Sequence, residues 1–132
     1  MASIFSKIIN GDLPGHFVWR DEQCVAFMTI EPVQAGHLLV IPIEEIDHWD
    51  ELPESLSNHL MSVSRKLATA LKTVYRCKRV CLSIVGLEVP HTHIHLWPIN
   101  TMSDANLGQA KMAEPEALAA EAEKIRSVLT AG

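Results

Sequence analysis

The sequence predicts an α+β domain built on a five-stranded antiparallel sheet. Three observations carry that expectation. Five short runs rich in Val, Ile, Leu and aromatic residues are joined by turn-type links instead of regular strand and helix alternation. Two long stretches repeat apolar residues every three or four positions, the mark of amphipathic helices. Finally, 132 residues with 48% apolar and 20% charged side chains suit one folded core, not two modules or a disordered chain. The whole of 1–132 reads as a single domain, with its core in about the first 100 residues.

The elements follow in order. Ser3 or a neighbour caps a short helix carrying Ile4, Phe5, Ile8 and Ile9, which Asn10-Gly11-Asp12-Leu13-Pro14-Gly15 ends. Residues 17–19 and 25–30 form strands around the polar hairpin link Arg20-Asp21-Glu22-Gln23. After the Glu31-Pro32 break, Leu38-Leu39-Val40-Ile41 is short and continuously apolar, as a central strand is, and Pro42 ends it. Over 53–75, Leu56, Leu60, Val63, Leu67, Leu71 and Val74 line one helical stripe, with Pro53 in the first turn. Residues 80–85 and 93–98 supply the last two strands. Leu118, Ala122, Ile125 and Leu129 then give a second amphipathic helix, within about 113–130, opened by Glu114-Pro115. A helical layer on one sheet face leaves the other face for a site.

Charge and composition narrow the function. Sixteen acids against eleven bases, a net charge of -5, argue against a nucleic-acid partner, because few counterions would be released. Arg65, Lys66, Lys72, Arg76, Lys78 and Arg79 cluster in sequence, and they read as the solvated face of one helix and its exit loop. The longest apolar runs, 25–30 and 38–43, fall far short of the roughly 20 residues that cross a bilayer. The first residues carry no apolar segment of the secretory kind, so the expected location is the cytoplasm, with no membrane partner. Cys24, Cys77 and Cys81 are odd in number and contain no C-x-x-C pair, which points to a reduced compartment. Cys77 and Cys81 are expected to act as buried small hydrophobes.

The informative segment is His91-Thr92-His93-Ile94-His95-Leu96-Trp97-Pro98. On a strand, alternation places His93 and His95 on one face, with His91 beside them if the pairing begins that early, and turns Ile94 and Leu96 into the core. The strand rise spaces such imidazoles by about 7 Å. Two chemistries fit the row. It can bind a metal, since three histidines make a catalytic zinc site. Alternatively, one imidazole attacks an electrophile while its neighbours handle protons.

His91-Thr92-His93-Ile94-His95-Leu96-Trp97, followed by Pro98, resembles the signature of the histidine triad (HIT) family. SIFSKIINGDLP at 3–14, VAFMTIEPVQAGH at 25–37 and Leu39-Val40-Ile41-Pro42 also resemble that family's first helix and its second and third strands, in order. The resemblance implies a homodimer whose two sheets join. It also implies a nucleotide-binding hydrolase or transferase acting at the α-phosphorus of a nucleoside phosphoramidate, adenylate or dinucleoside polyphosphate, without a cofactor. Purine nucleotides or nucleoside phosphoramidates are the implied partners. His93 matches the nucleophile that forms a nucleotidyl-imidazole, His95 the histidine that contacts the phosphate and serves the leaving group, and His91 the one that orients the row. His37 matches a fourth histidine beside the site. Phe5, Ile8, Ile30 and Leu39 match base-pocket positions, and Thr29, Gly86, Glu88 and Val89 match others near the nucleotide. Two other readings are a non-catalytic nucleotide- or partner-binding protein and a metal-dependent hydrolase using the three histidines.

Four departures from the family pattern bear on the site. Thr29 stands where many relatives carry an Asp on the ribose hydroxyls, which removes a charge-assisted contact. Ser3 and Ser6 occupy the positions of a zinc-binding C-x-x-C, and hydroxyls are poor zinc ligands, so no structural metal is expected. Glu88 stands where several relatives have Ser or Thr near the phosphate. Residues 80–100 contain no Arg or Lys, so backbone amides, approaching at Gly86, and an imidazolium are expected to meet the phosphate charge.

Overall fold

A computed structural model of the chain describes residues 2–131. Its elements are α1 (Ile4–Ile9), β1 (Phe17–Arg20), β2 (Cys24–Met28), β3 (Leu38–Pro42), α2 (Glu54–Tyr75), β4 (Arg79–Ser83), β5 (Ile94–Ile99) and α3 (Pro115–Ala131). The sheet has five strands in the order β1-β2-β3-β5-β4, and every neighbouring pair is antiparallel. The α+β class and the antiparallel sheet agree with the sequence expectation.

Local chemistry sets most element ends. Ser3 caps α1 by accepting the Ser6 amide at 3.1 Å, and the chain turns away through Gly11 at φ +87°. Asp21 organises the first hairpin, because its Oδ1 accepts the Gln23 and Cys24 amides at 2.7 and 2.9 Å. Pro53 stands at the N-cap of α2 with an extended ψ of 143°, one step before the first turn. Strand β2 stops at Met28, so Thr29 and Ile30 leave the ladder, where the sequence pattern had carried the strand to residue 30. Strand β4 likewise ends at Ser83, two residues short of the expected 85.

Each side of the sheet is covered differently. On one side, Leu56, Leu60, Val63, Leu67 and Leu71 of α2, with Leu118, Ala122 and Ile125 of α3, bury against Cys24, Ala26, Met28, Leu38, Val40, Ile94 and Leu96. Val74 and Leu129 sit at the rim of that cluster, partly buried. On the other side, Val25, Phe27, Leu39 and Ile41 meet Phe5 and Ile9 of α1, with Ile8, Phe17 and Val89 around them. Cys24 is fully buried, but Cys77 and Cys81 are only half-buried, contrary to expectation. Cys77 lies in the link after α2, and Cys81 sits on β4, an edge strand of the sheet.

Candidate active site

Strand alternation places the histidine row on the face that α1 partly covers. In β5, His95 pairs with Leu39 of β3 on one side and Ser83 of β4 on the other. Since directly paired residues share a face, the ring of His95 stands between those two side chains. His93 precedes the first residue of β5 and packs edge-on against Phe5, with centroids 4.8 Å apart. His95 follows with its centroid 5.0 Å from that of His93. The His37 ring lies 5.3 Å from His95 and 5.1 Å from Trp97.

Hydrogen bonding then assigns each proton. His93 Nδ1 lies 2.8 Å from the His91 carbonyl, which only accepts, so Nδ1 carries the hydrogen and a neutral ring has a bare Nε2. The Val33 amide donates to His37 Nδ1 at 3.0 Å. His37 therefore holds its proton on Nε2, which donates to His95 Nδ1 at 3.1 Å. His95, having accepted at Nδ1, carries its own hydrogen on Nε2. His91 is held at both ends, with Ser3 Oγ 2.7 Å from Nδ1 and the Pro42 carbonyl 2.7 Å from Nε2.

Burial makes these rings hard to protonate. Desolvation first, and the neighbouring His95 second, push His37 down to about 3. The same two causes, with His93 as the neighbour, push His95 down to about 4. His93 is also lowered by burial, opposed by its bond to the His91 carbonyl and by the nearby negative charge of Glu88. The imidazolium expected to meet the phosphate is therefore not the resting state of His95, because taking the ring out of water disfavours its cation. A neutral His95 still offers an N–H.

The remaining expected residues spread over this face. Phe5 and Leu39 are buried, and Ile8 and Val89 pack at the edge of the same cluster. Thr29 is half-buried, while Ile30 is 56% exposed, outside both buried clusters. Gly86 adopts φ +74°, a backbone that an L-residue rarely takes, although a Cβ there would touch nothing. Glu88 is exposed. Sequence reasoning missed Ser83, Trp97, Glu45 and the Val33 amide. Only Trp97 had a signal, since alternation from His95 puts it on the site face, where its Nε1 donates to the Asp104 carbonyl at 2.8 Å.

A three-histidine metal site does not fit this arrangement. Both nitrogens of His91 and the Nδ1 atoms of His93 and His95 already have partners, which leaves two free ring nitrogens, fewer than the three protein ligands of a catalytic zinc. Among the described residues, one group has three possible ligand atoms within 4.8 Å of one another: Asp21, Cys24 and His59. It lies on the α2 side of the sheet, and Asp21 Oδ2 is already occupied by donors from Trp19 Nε1 and His59 Nε2, both at 2.8 Å. Burial first, and the Asp21 charge second, push the Cys24 thiol up to about 12, so it is a poor source of thiolate.

The fold recurs among known proteins. The model of the HIT domain matches residues 10–102. An uncharacterized HIT-like protein of Methanocaldococcus jannaschii is 34% identical over 99 residues, covering 72% of this chain and 77% of that protein. The adenosine 5'-monophosphoramidase HNT1 of Saccharomyces cerevisiae is 32% identical over 98 residues, covering 74% of this chain and 62% of the yeast protein. Among solved structures, a HIT-like protein involved in cell-cycle regulation from Bartonella henselae superposes with a TM-score of 0.85 at 26% identity, covering 96% of this chain and 95% of that one.

Proposed function

The chain belongs to the HIT domain family, and on that premise we propose that it hydrolyses nucleotides at the α-phosphorus through a nucleotidyl-His93 intermediate. The substrate class is a nucleoside phosphoramidate, an adenylate or a dinucleoside polyphosphate. The observation that carries this reading is the bare Nε2 of His93, held by its Nδ1–H on the His91 carbonyl.

Nε2 of His93 attacks the α-phosphorus, and the bond from phosphorus to the leaving nitrogen or oxygen breaks. Charge develops on the His93 ring, where the His91 carbonyl already accepts the Nδ1–H and stabilises the cation. His95 Nε2–H donates to the phosphoryl group without leaving its ring, because a neutral imidazole that lost its one proton would become an imidazolate. The leaving group takes its proton from solvent. Water then attacks phosphorus, expels Nε2 and releases a proton, which yields the nucleoside monophosphate. Phe5, Ile8, Leu39 and Val89 supply an apolar wall for the base, and Thr29 offers one hydroxyl to the ribose. The Gly86 region supplies backbone amides.

Brief incubation with an adenosine phosphoramidate, acid quench and peptide mapping should find the nucleotidyl mass on the peptide containing His93. Product formation with the adduct on another residue would overturn the assignment. Binding without turnover would favour the non-catalytic reading.

The homodimer fits the same reading. Strand β4 is the outermost strand on its side of the sheet, and Leu82, Val85 and Leu87 on or just past it are exposed, Leu87 to 89%. Joining two copies there would extend the sheet and cover those side chains. Light scattering near 14.6 kDa at micromolar concentration would exclude it. No helix among the described residues is long and apolar enough to cross a membrane.

A further inference from the structure

Glu45 lies outside the histidine row, on the loop after β3, and its side chain is about one-third exposed. We infer that Glu45 is a positioning residue for the reaction, setting the His93 ring through Ser3 and His91; the inference rests on the His93 reading above. Its Oε1 accepts the Ser3 amide at 2.7 Å and the Ser6 hydroxyl at 2.7 Å. One carboxylate thus clamps the start of α1 to the loop that follows β3. Ser3 Oγ accepts the Ser6 amide at 3.1 Å, which leaves its own hydrogen to point at His91 Nδ1, 2.7 Å away. The Pro42 carbonyl can only accept, so it takes the hydrogen of His91 Nε2. With its ring held at both nitrogens, His91 presents its carbonyl to His93 Nδ1.

Every link from the loop carboxylate to the nucleophile is therefore a hydrogen bond of stated direction. Glu45 is held below the ordinary glutamate value by the Ser3 amide first and the Ser6 hydroxyl second, so it works as a carboxylate near neutral pH. A helix of six residues does not stand alone in water. The clamp fixes it against the sheet, and through it Phe5, whose ring meets both His93 and His91. Without the clamp, the Ser3 hydroxyl swings away, His91 Nδ1 loses its partner in a fully buried place, and the His91 carbonyl drifts from His93. The neutral amide of a Gln keeps an oxygen that accepts the same two hydrogens, so Glu45→Gln should rescue what Glu45→Ala loses.

The test uses the full chain, an adenosine phosphoramidate and 15N spectra of the histidine rings. Glu45→Ala should lower kcat by about tenfold, more than it raises KM, because a misaimed nucleophile loses near-attack geometry. Glu45→Gln should keep kcat within about twofold of wild type. The His91 ring should read as the Nε2–H tautomer in the wild type and shift in Glu45→Ala, with the His93 Nδ1–H signal weakened. A kcat for Glu45→Ala within twofold of wild type overturns the inference. So does an equal loss in Glu45→Gln, and so does a fall in kcat with both ring signals unmoved. If the wild type turns over no nucleotidyl substrate, the functional reading fails, and the ring signals alone decide the clamp: shifted supports it, unshifted overturns it.

Discussion

The two faces of the sheet are built from the same strands by opposite rules. The face under α2 and α3 is covered by two helices of 22 and 17 residues whose apolar stripes interlock with the strands. The face under α1 is covered by one helix of six residues, and polar side chains stand among its apolar ones: His37, His91, His93, His95 and Ser83. One face gains its stability from area removed from water, which is non-directional. The other buries imidazoles held by hydrogen bonds that leave only the Nε2 atoms of His93 and His95 without a partner, and so obtains direction instead. A polar face of this kind is tolerable because the opposite one carries the fold.

Substitutions on the two sides should therefore separate activity from stability. The largest effect is expected from His93→Ala, which should lower kcat by about 1000-fold or more, since the covalent route is gone. The thermal midpoint should move little. Loss of folded protein would instead mean that His93 is a core residue. The mirror experiment is Leu67→Ala, which empties a fully buried position on the helical face and should cost about 2–5 kcal/mol. Turnover per folded molecule should stay unchanged, and a drop in kcat below the denaturation range would show that the faces are coupled.

Gly36→Ala tests a place where α2 reaches the site loop. Gly36 has φ +93°, and a Cβ there would run into the ring of Tyr75, one residue before His37. The substitution should destabilise by about 1–3 kcal/mol and also reduce turnover, because the loop that aims the Val33 amide at His37 must shift. Unchanged stability would mean that the Tyr75 ring moves freely.

Acid should act on the polar face before it acts on the apolar one. His37 and His95 are neutral in the fold down to about 3 and about 4, whereas an unfolded histidine takes its proton near 6.5. Below that value the unfolded chain binds more protons, so stability should fall as pH drops from about 6.5 toward 4. Denaturant midpoints across that range check the slope, which His37→Leu should flatten. Turnover should be lost in acid at a lower pH than an ordinary histidine titrates, because burial lowers His93 and the ring must be neutral to attack. A rate that rises from pH 8 to 6 would show that a protonated histidine is needed. The smallest effect belongs to Ser64, whose buried hydroxyl has no hydrogen-bond partner among the described residues. Ser64→Ala should leave stability equal or raise it by up to about 1 kcal/mol, measured by the same midpoints.

Much of this comparison is legible in the chain. The helical stripes of α2 and α3 repeat apolar residues every three or four positions, and they bury as that period requires. Alternation in 93–97 separates His93, His95 and Trp97 from Ile94 and Leu96, which the sheet reproduces although the ladder starts one residue late, at Ile94. Cys77 and Cys81 are half-buried where burial was expected, because local composition does not reveal that Cys77 falls in a link or that β4 lies at an edge of the sheet. Ile30 matches a base-pocket position by resemblance alone, and because β2 ends at Met28, short of the expected residue 30, it is left 56% exposed.

The periods, the turns and the three imidazoles are set along the chain, because they depend on neighbours within a few positions. The order β1-β2-β3-β5-β4, which seats His95 between Leu39 and Ser83, arises from packing between distant segments. The same packing brings Glu45 across 42 positions to the Ser3 amide and His91 across 49 to the Pro42 carbonyl. Which nitrogen of each histidine carries the proton follows from those distant partners. A ring nitrogen takes its role from whatever donor or acceptor the fold places within about 3 Å, and no spacing along the chain encodes that placement.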